Sequence, residues 1–250
     1  MKRILTTLAE KWPEYLIEAI VIVASILGAF ALDSWNGYRK DRIAEISILK
    51  NLHQDLTLDT FDIAFNIRFL KKTLKEEQKL FNLMSGTKDI TQGINYTEAL
   101  GIPLMLTLHE SSLKNLQTNG FEIITNEELK NEIARFYDFF TKSILKLEND
   151  FDVYETYSAK RPYFMKHFNV DDSDQLFISE SSKAFYSPES NRKNLVLKDL
   201  ADLRKDEQFK VSLSECMFLT VLKLDLYEEY SIRLNKLRTA IKSQLELLGN

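Results

Sequence analysis

Glu18 stands inside the apolar run YLIEAIVIVASILGAFAL, residues 15–32. A carboxylate in such a run can carry a proton or pair with a basic group. Its plainer reading is an interfacial side chain that snorkels into the headgroups. His53, His109 and His167 lie far apart in the chain, and none falls into a zinc or metalloprotease spacing. They read as scattered surface or core histidines. Asp171, Asp172 and Asp174 suggest a calcium loop, but the glycine and terminal glutamate of an EF-hand loop are missing. A solvated acidic loop is the better reading. Cys216 is the single cysteine, so no intrachain disulfide can form. Set among Leu213, Met217 and Leu219, it reads as a buried structural thiol. There is no glycine-rich phosphate loop, no nucleophile elbow and no cysteine–histidine pair close in sequence. No catalytic residue, cofactor site or metal site is therefore assigned. Any enzyme site would have to assemble from distant positions.

The element that positions Glu18 is a membrane-spanning helix. Eighteen residues, Tyr15 to Leu32, rise ~27 Å, near the ~30 Å of a bilayer hydrocarbon core. Only the stretch from Ala19 to Leu32 is free of charge. Trp12 and Tyr15 flank one end, Trp35 and Tyr38 the other. The two tryptophans lie ~35 Å apart along a helix, as two interfacial aromatic belts would. The aliphatic residues and Phe30 favour insertion by roughly 3–6 kcal/mol, against ~2.5–3.5 kcal/mol for a carboxylate at the centre. Glu18 is one turn from the end, so insertion prevails. Ala24 with Gly28, and Ser25 with Ala29, form overlapping small-xxx-small pairs that let helices approach closely. The plainer reading is that such residues are ordinary in membrane helices.

A secretory signal competes with the anchor. Lys2 and Arg3 precede the apolar run, and Ala29-Phe30-Ala31 resembles a cleavage site. Against this, the leading region contains Trp12, Pro13, Glu14 and Glu18, and the triplet lies inside the apolar run. The anchor is the expected outcome. Orientation is nearly balanced, with Lys2, Arg3 and Lys11 on one side and Arg39, Lys40, Arg42 and Lys50 on the other. The short N-terminal tail favours a cytoplasmic N-terminus, with the large domain outside.

Seven glycines and four prolines in 250 residues favour long helices over a β-sandwich. A net charge of −4 and a pI near 5.6 argue against a nucleic-acid partner. From Ile43 to Met84, Leu49, Leu52, Leu56, Ile63, Ile67, Leu70, Leu74, Phe81 and Met84 recur at helical spacing. Phe61, Phe65 and Phe69 add a second stripe. This helix would reach ~60 Å from the membrane. Gly86 to Asn95 is a break, followed by a short helix over Tyr96 to Leu106 that Gly101 and Pro103 disturb. Thr107 with Glu110 predicts a capping box for a helix closed by Gly120. Thr125 with Glu128 predicts another, opening a helix to about Lys160. Residues 162–194 read as a flexible loop and Leu195 to Leu203 as a short helix. Asp206 is the expected cap of a last helix to about Leu248. Its buried face would carry Leu213, Met217, Val221, Leu224, Tyr227, Leu234, Leu237, Ile241, Leu245 and Leu248.

The expected architecture is all-α: a tail (1–14), a transmembrane helix (15–36) and an antiparallel bundle of long helices (37–250). The expected partners are the lipid bilayer and either further copies of the chain or another membrane protein. The expected role is a non-enzymatic scaffold or accessory subunit of an envelope complex. A ligand-sensing bundle and an envelope hydrolase are the alternatives.

Three stretches carry a resemblance. YLIEAIVIVASILGAFALDSWNGYRKDR resembles the N-terminus of an uncharacterised family of Gram-negative single-pass membrane proteins. The shared features fall on Tyr15-Leu16, Glu18, Gly28, Trp35-Asn36 and Arg39-Lys40. SSLKNLQTNGFEIITNEELKNEIARFYDFF is similar to a second family element through Asn119-Gly120, Ile124, Asn126, Leu129 and Tyr137. DEQFKVSLSECMFL is loosely similar to the start of the family's last helix. The chain departs at Ile17, where the family usually has glycine, and holds Asp33-Ser34 before the Trp-Asn pair. The resemblance implies a helical inner-membrane protein and supplies no reaction.

Overall fold

A computed structural model describes residues 12–87, 93–102, 106–150, 153–171 and 194–249. The expected tail residues Lys2, Arg3 and Lys11, the disturbing Pro103, and Asp172 and Asp174 of the acidic loop lie outside the described residues.

One helix, α1, runs unbroken over Trp12–Met84, 73 residues, or ~110 Å. No proline falls inside it beyond its first turn, and Gly37 alone does not break it. It stops in a Schellman motif. The Thr87 N–H donates to Asn82 O at 3.2 Å and the Gly86 N–H to Leu83 O at 3.3 Å. Gly86 takes the positive φ of +73° that this motif requires.

The chain then returns along α1 through α2 (Tyr96–Leu100), α3 (Ser111–Asn119) and a 3-10 turn (Phe121–Ile123). It climbs again through α4 (Glu127–Arg135), a π-helical turn (Phe136–Thr141), α5 (Lys142–Asp150) and α6 (Val153–His167). Strand β1 (Phe168–Val170) pairs antiparallel with β2 (Leu195–Leu197), Asn169 opposite Val196. A short α7 (Leu200–Lys205) leads into α8 (Glu207–Gly249), 43 residues long. α8 lies antiparallel to α1: just before its start Arg204 Nε of α7 donates to Leu83 O, and at its other end Leu248 O accepts from Arg42 Nη2. The fold is the expected all-α bundle with one small ribbon added.

The core is in two parts. The first joins Leu49, Leu52, Leu56 and Ile63 of α1 to Ile133, Phe136, Tyr230, Leu234 and Ile241. The second joins Leu80, Leu83 and Met84 to Tyr96, Phe164, Phe168, Leu203, Phe209 and Leu213. Between them α1 buries Asn66, Thr73, Glu76 and Glu77. A polar belt thus separates two apolar cores, and each large aliphatic side chain buried in them contributes about 1.5–3 kcal/mol.

Several expectations need correction. Thr107 does not cap α3. Its N–H donates to Asp62 Oδ2 at 2.9 Å, and Glu110 is the N-cap residue without a side-chain bond. The cap comes from α1 instead, where Asp55 Oδ2 accepts the Ser112 N–H at 3.0 Å. Thr125 does not cap α4, because Glu45 takes both its N–H and its hydroxyl at 2.9 Å. Asn126 caps one residue later, accepting from the Leu129 N–H at 3.0 Å. The helix expected to end near Lys160 continues through Pro162 to His167. Ser158 and Pro162 are both exposed, so the carbonyl that Pro162 leaves without a donor is on the solvent side. Residues 162–170 of the supposed loop are therefore helix and strand, residues 172–193 lie outside the described residues, and Leu195–Leu197 is strand rather than helix. α2 ends at Leu100 because Gly101 follows with φ +74°. Phe61 and Val221 face solvent, although each was expected in an apolar stripe.

Candidate functional site

The sequence-predicted residues Trp12, Tyr15, Glu18, Ala24, Ser25, Gly28, Ala29, Trp35 and Tyr38 all lie on the first part of α1. Of these, every residue except Tyr15 has a described side chain, and all of those are exposed. Among the described residues α1 is the one helix long and apolar enough to cross a membrane, and none of its most apolar stretch is buried within the chain. Ser25 turns its hydroxyl back onto Val21 O at 2.7 Å, the local bond that satisfies a polar group within a helix. A Cβ added at Gly28 would meet nothing within 4 Å. The face expected to pack is therefore open in the single chain.

A second set of residues was not foreseen. Beyond the apolar stretch, α1 carries carboxylates that hold the returning chain. Glu76 accepts the Asn95 N–H at 2.8 Å, Asp62 that of Thr107, Asp59 that of His109 at 3.0 Å, Asp55 that of Ser112, and Glu45 that of Thr125. The order is antiparallel throughout. Each bond satisfies a backbone donor that has no helical partner, and a hydrogen bond to a charged acceptor contributes roughly 1.5–3 kcal/mol. The signal in the sequence was acidic residues on the buried side of an amphipathic helix. Their partners are 19 to 80 residues away, and no spacing rule links them.

Asp59 does more than its neighbours. His109 Nδ1 approaches the same Oδ1 at 2.7 Å, and with Asp59 ionised it is the ring N–H that donates. Burial raises the Asp59 carboxyl above its usual range, while the bonds from His109 pull it down. The imidazole edge meets a groove of about 660 Å³ lined by Leu58, Phe61, Phe65, Arg68 and Thr107. Close to Asp59, Tyr137 is buried, and its hydroxyl has no hydrogen-bond partner among the described residues. Burial and the nearby Tyr230, Asp59 and Asp55 hold that phenol in its protonated form. The histidine–carboxylate pair is the orienting half of a general-base arrangement. Here the carboxylate also anchors the backbone of the same histidine, which is a latch.

Two further polar clusters sit deeper. Lys160 pairs with Glu77, and both are buried. Glu148, also buried, accepts from Tyr227 Oη and from the Leu106 N–H at 3.1 Å. Burial lowers the Lys223 ammonium and Glu148 partly restores it. At the far end of the bundle, His167 lies between Asp206 Oδ2 at 2.8 Å and Asp202 Oδ2 at 3.3 Å and stacks on Phe209. Burial alone would raise Asp206. Hydrogen bonds from Lys166, His167 and the Phe209 N–H instead hold it down at about 2. Cys216 is buried, and burial raises its thiol. Among the described residues no group of three or more His, Cys, Asp or Glu side chains could hold a metal ion.

No known family, no curated protein and no solved structure matches the chain.

Proposed function

We propose that this chain is a membrane-anchored helical scaffold or accessory subunit that works by assembly, without catalytic activity. Its span would lie in the inner membrane of a Gram-negative host, with the N-terminus in the cytoplasm and the bundle outside. One observation carries the reading. A single helix is apolar and wholly exposed over residues 16–32, and from Glu45 onward it buries one face in the bundle. Exposed apolar surface on that scale is unfavourable in water. Lipid or another apolar helix must cover it.

The alanine, serine and glycine positions supply a face on which a second helix can pack closely. Glu18 adds a polar contact within the same turns. The carboxylate row supports a structural role for the bundle's acidic residues, since each accepts a hydrogen bond from the returning chain.

The test is native mass spectrometry of the full chain extracted in mild detergent, beside the Gly28→Leu and Glu18→Gln variants. Assembly of the wild type that weakens in either variant supports the reading. An unchanged assembly state and unchanged partner recovery in both variants would remove the span from the assembly. Recovery of the chain in the soluble fraction after alkaline washing of membranes would remove the anchor itself.

A further inference from the structure

We propose that the C-terminal turn of α8 and the turns of α1 just beyond the span form a foot resting on anionic phospholipid headgroups. This rests on the membrane reading above, because the span sets the height of everything attached to α1.

The height follows from one hydrogen bond. Arg42 Nη2 donates to Leu248 O at 3.3 Å. Side chains on a helix lean toward its N-terminus, which on α1 is the direction of the span. Leu248 O therefore lies at about the level of Arg42 or nearer the bilayer. Arg42 is seven residues past Trp35, a rise of ~10 Å. Trp35 marks the interface, and the headgroup layer adds about 5–8 Å on each side of the hydrocarbon. With any tilt of α1, the end of α8 comes within reach of the headgroups.

The chemistry at that level suits an anionic lipid surface. Arg39, Lys40 and Arg42 are exposed, with Asp41 as the acidic residue among them. Two large aliphatic side chains are also exposed at this end, Ile43 at 60% and Leu247 at 70%. Glu246 adjoins Leu247 on α8, Lys242 lies more than a turn before it, and both are exposed. Basic side chains beside a bilayer are attracted to anionic lipids, and apolar ones among them sit at the headgroup boundary. The base is wide, not a single helix end. Thr125 is bound to Glu45, and Asn126 Nδ2 donates to Gln244 Oε1 at 2.9 Å. The turn before α4 thus stands beside the same end of the bundle.

The experiment places a nitroxide on the full chain in phosphatidylcholine vesicles, with and without phosphatidylglycerol. The labels go on single cysteines from Leu247→Cys, Phe218→Cys and Ile22→Cys, each combined with Cys216→Ala. Collision with oxygen reports lipid, and collision with a water-soluble nickel chelate reports solvent. We expect position 22 in hydrocarbon, position 218 in water and position 247 at the interface. Position 247 should shift toward lipid when phosphatidylglycerol is present, and Arg39→Gln with Lys40→Gln should abolish that shift. Arg42 is left in place because it holds Leu248. If position 247 matches 218 while 22 is in hydrocarbon, the foot is wrong and the anchor stands. Position 22 in water overturns both. Spin–spin broadening at 247 without lipid contact would assign the tip to a second copy and overturn the foot.

Discussion

Lys160 on α6 is buried against Glu77 on α1, and its ammonium also donates to Ala99 O on α2 at 2.9 Å. One charged group thereby ties three elements in the belt between the two cores. Glu77 Oε2 has no hydrogen-bond partner among the described residues, so the pair is incompletely satisfied. Lys160→Met should cost about 3–5 kcal/mol by stranding the carboxylate, whereas Lys160→Met with Glu77→Leu should recover most of the loss. Urea unfolding of the detergent-solubilised chain, followed by circular dichroism, measures both. A double variant no more stable than the single would show that the charge pair is not an isolated unit.

Gly101 closes α2 directly over this pair. Its φ is +74°, and an added Cβ would stand 3.3 Å from Thr73 Cγ2 and 3.7 Å from Lys160 Nζ. Gly101→Ala should lower stability by about 1–3 kcal/mol through backbone strain alone. Thermal melting at neutral pH gives the comparison, and a wild-type midpoint would contradict the assigned conformation.

The latch at Asp59 separates acceptor from charge. Asp59→Ala removes the acceptor for both the His109 N–H and its imidazole, and should cost about 2–3 kcal/mol. Asp59→Asn keeps an oxygen in place and should lose less. Amide hydrogen exchange over residues 106–116 reports the release directly: it should quicken in the alanine variant and stay slow in the asparagine one. Equal exchange in all three proteins would mean that the returning chain is held elsewhere.

Asp206 gives the bundle an acid-sensitive end. Its folded carboxyl titrates at about 2, below its ordinary value of 3.8. A depressed carboxylate contributes stability that is present above the unfolded value and lost as pH falls toward the folded one. The stability difference between wild type and Asp206→Ala should therefore be full at pH above about 4 and shrink between about 4 and 2. Part of the difference persists below that window, because Asp206 also caps α8 through the Phe209 N–H at 3.0 Å. Denaturant titrations across that range follow the difference, and a constant gap would rule out the carboxylate's charge as its source.

The long elements were legible because one periodic pattern dominated each of them. α1 ends where Gly86 stands, and Asp206 caps α8 as its position indicated. Local rules failed where a distant group competed for the same donor. Thr125 and Asn126 are both competent caps, and Glu45 of α1 decides between them by taking Thr125. Thr107 and Ser112 are settled likewise by Asp62 and Asp55. The ribbon escaped notice because three-residue strands are too short to display alternation. The π-helical turn at Phe136–Thr141 leaves the apolar spacing nearly intact, so it carries no distinct sequence signal. The carboxylate row could be read as acidic residues on a helix, but not as a set of acceptors.

The continuity of α1 past Gly37 has a rotational consequence. A span joined to its domain by a flexible linker can turn in the bilayer while the domain stays still. Here no such swivel stands between Gly28 and the buried Leu52, because both lie on one unbroken helix. Turning one turns the other. If two spans pair through their small-residue faces, both bundles are held at one fixed azimuth, and whatever rotates a bundle breaks the pair.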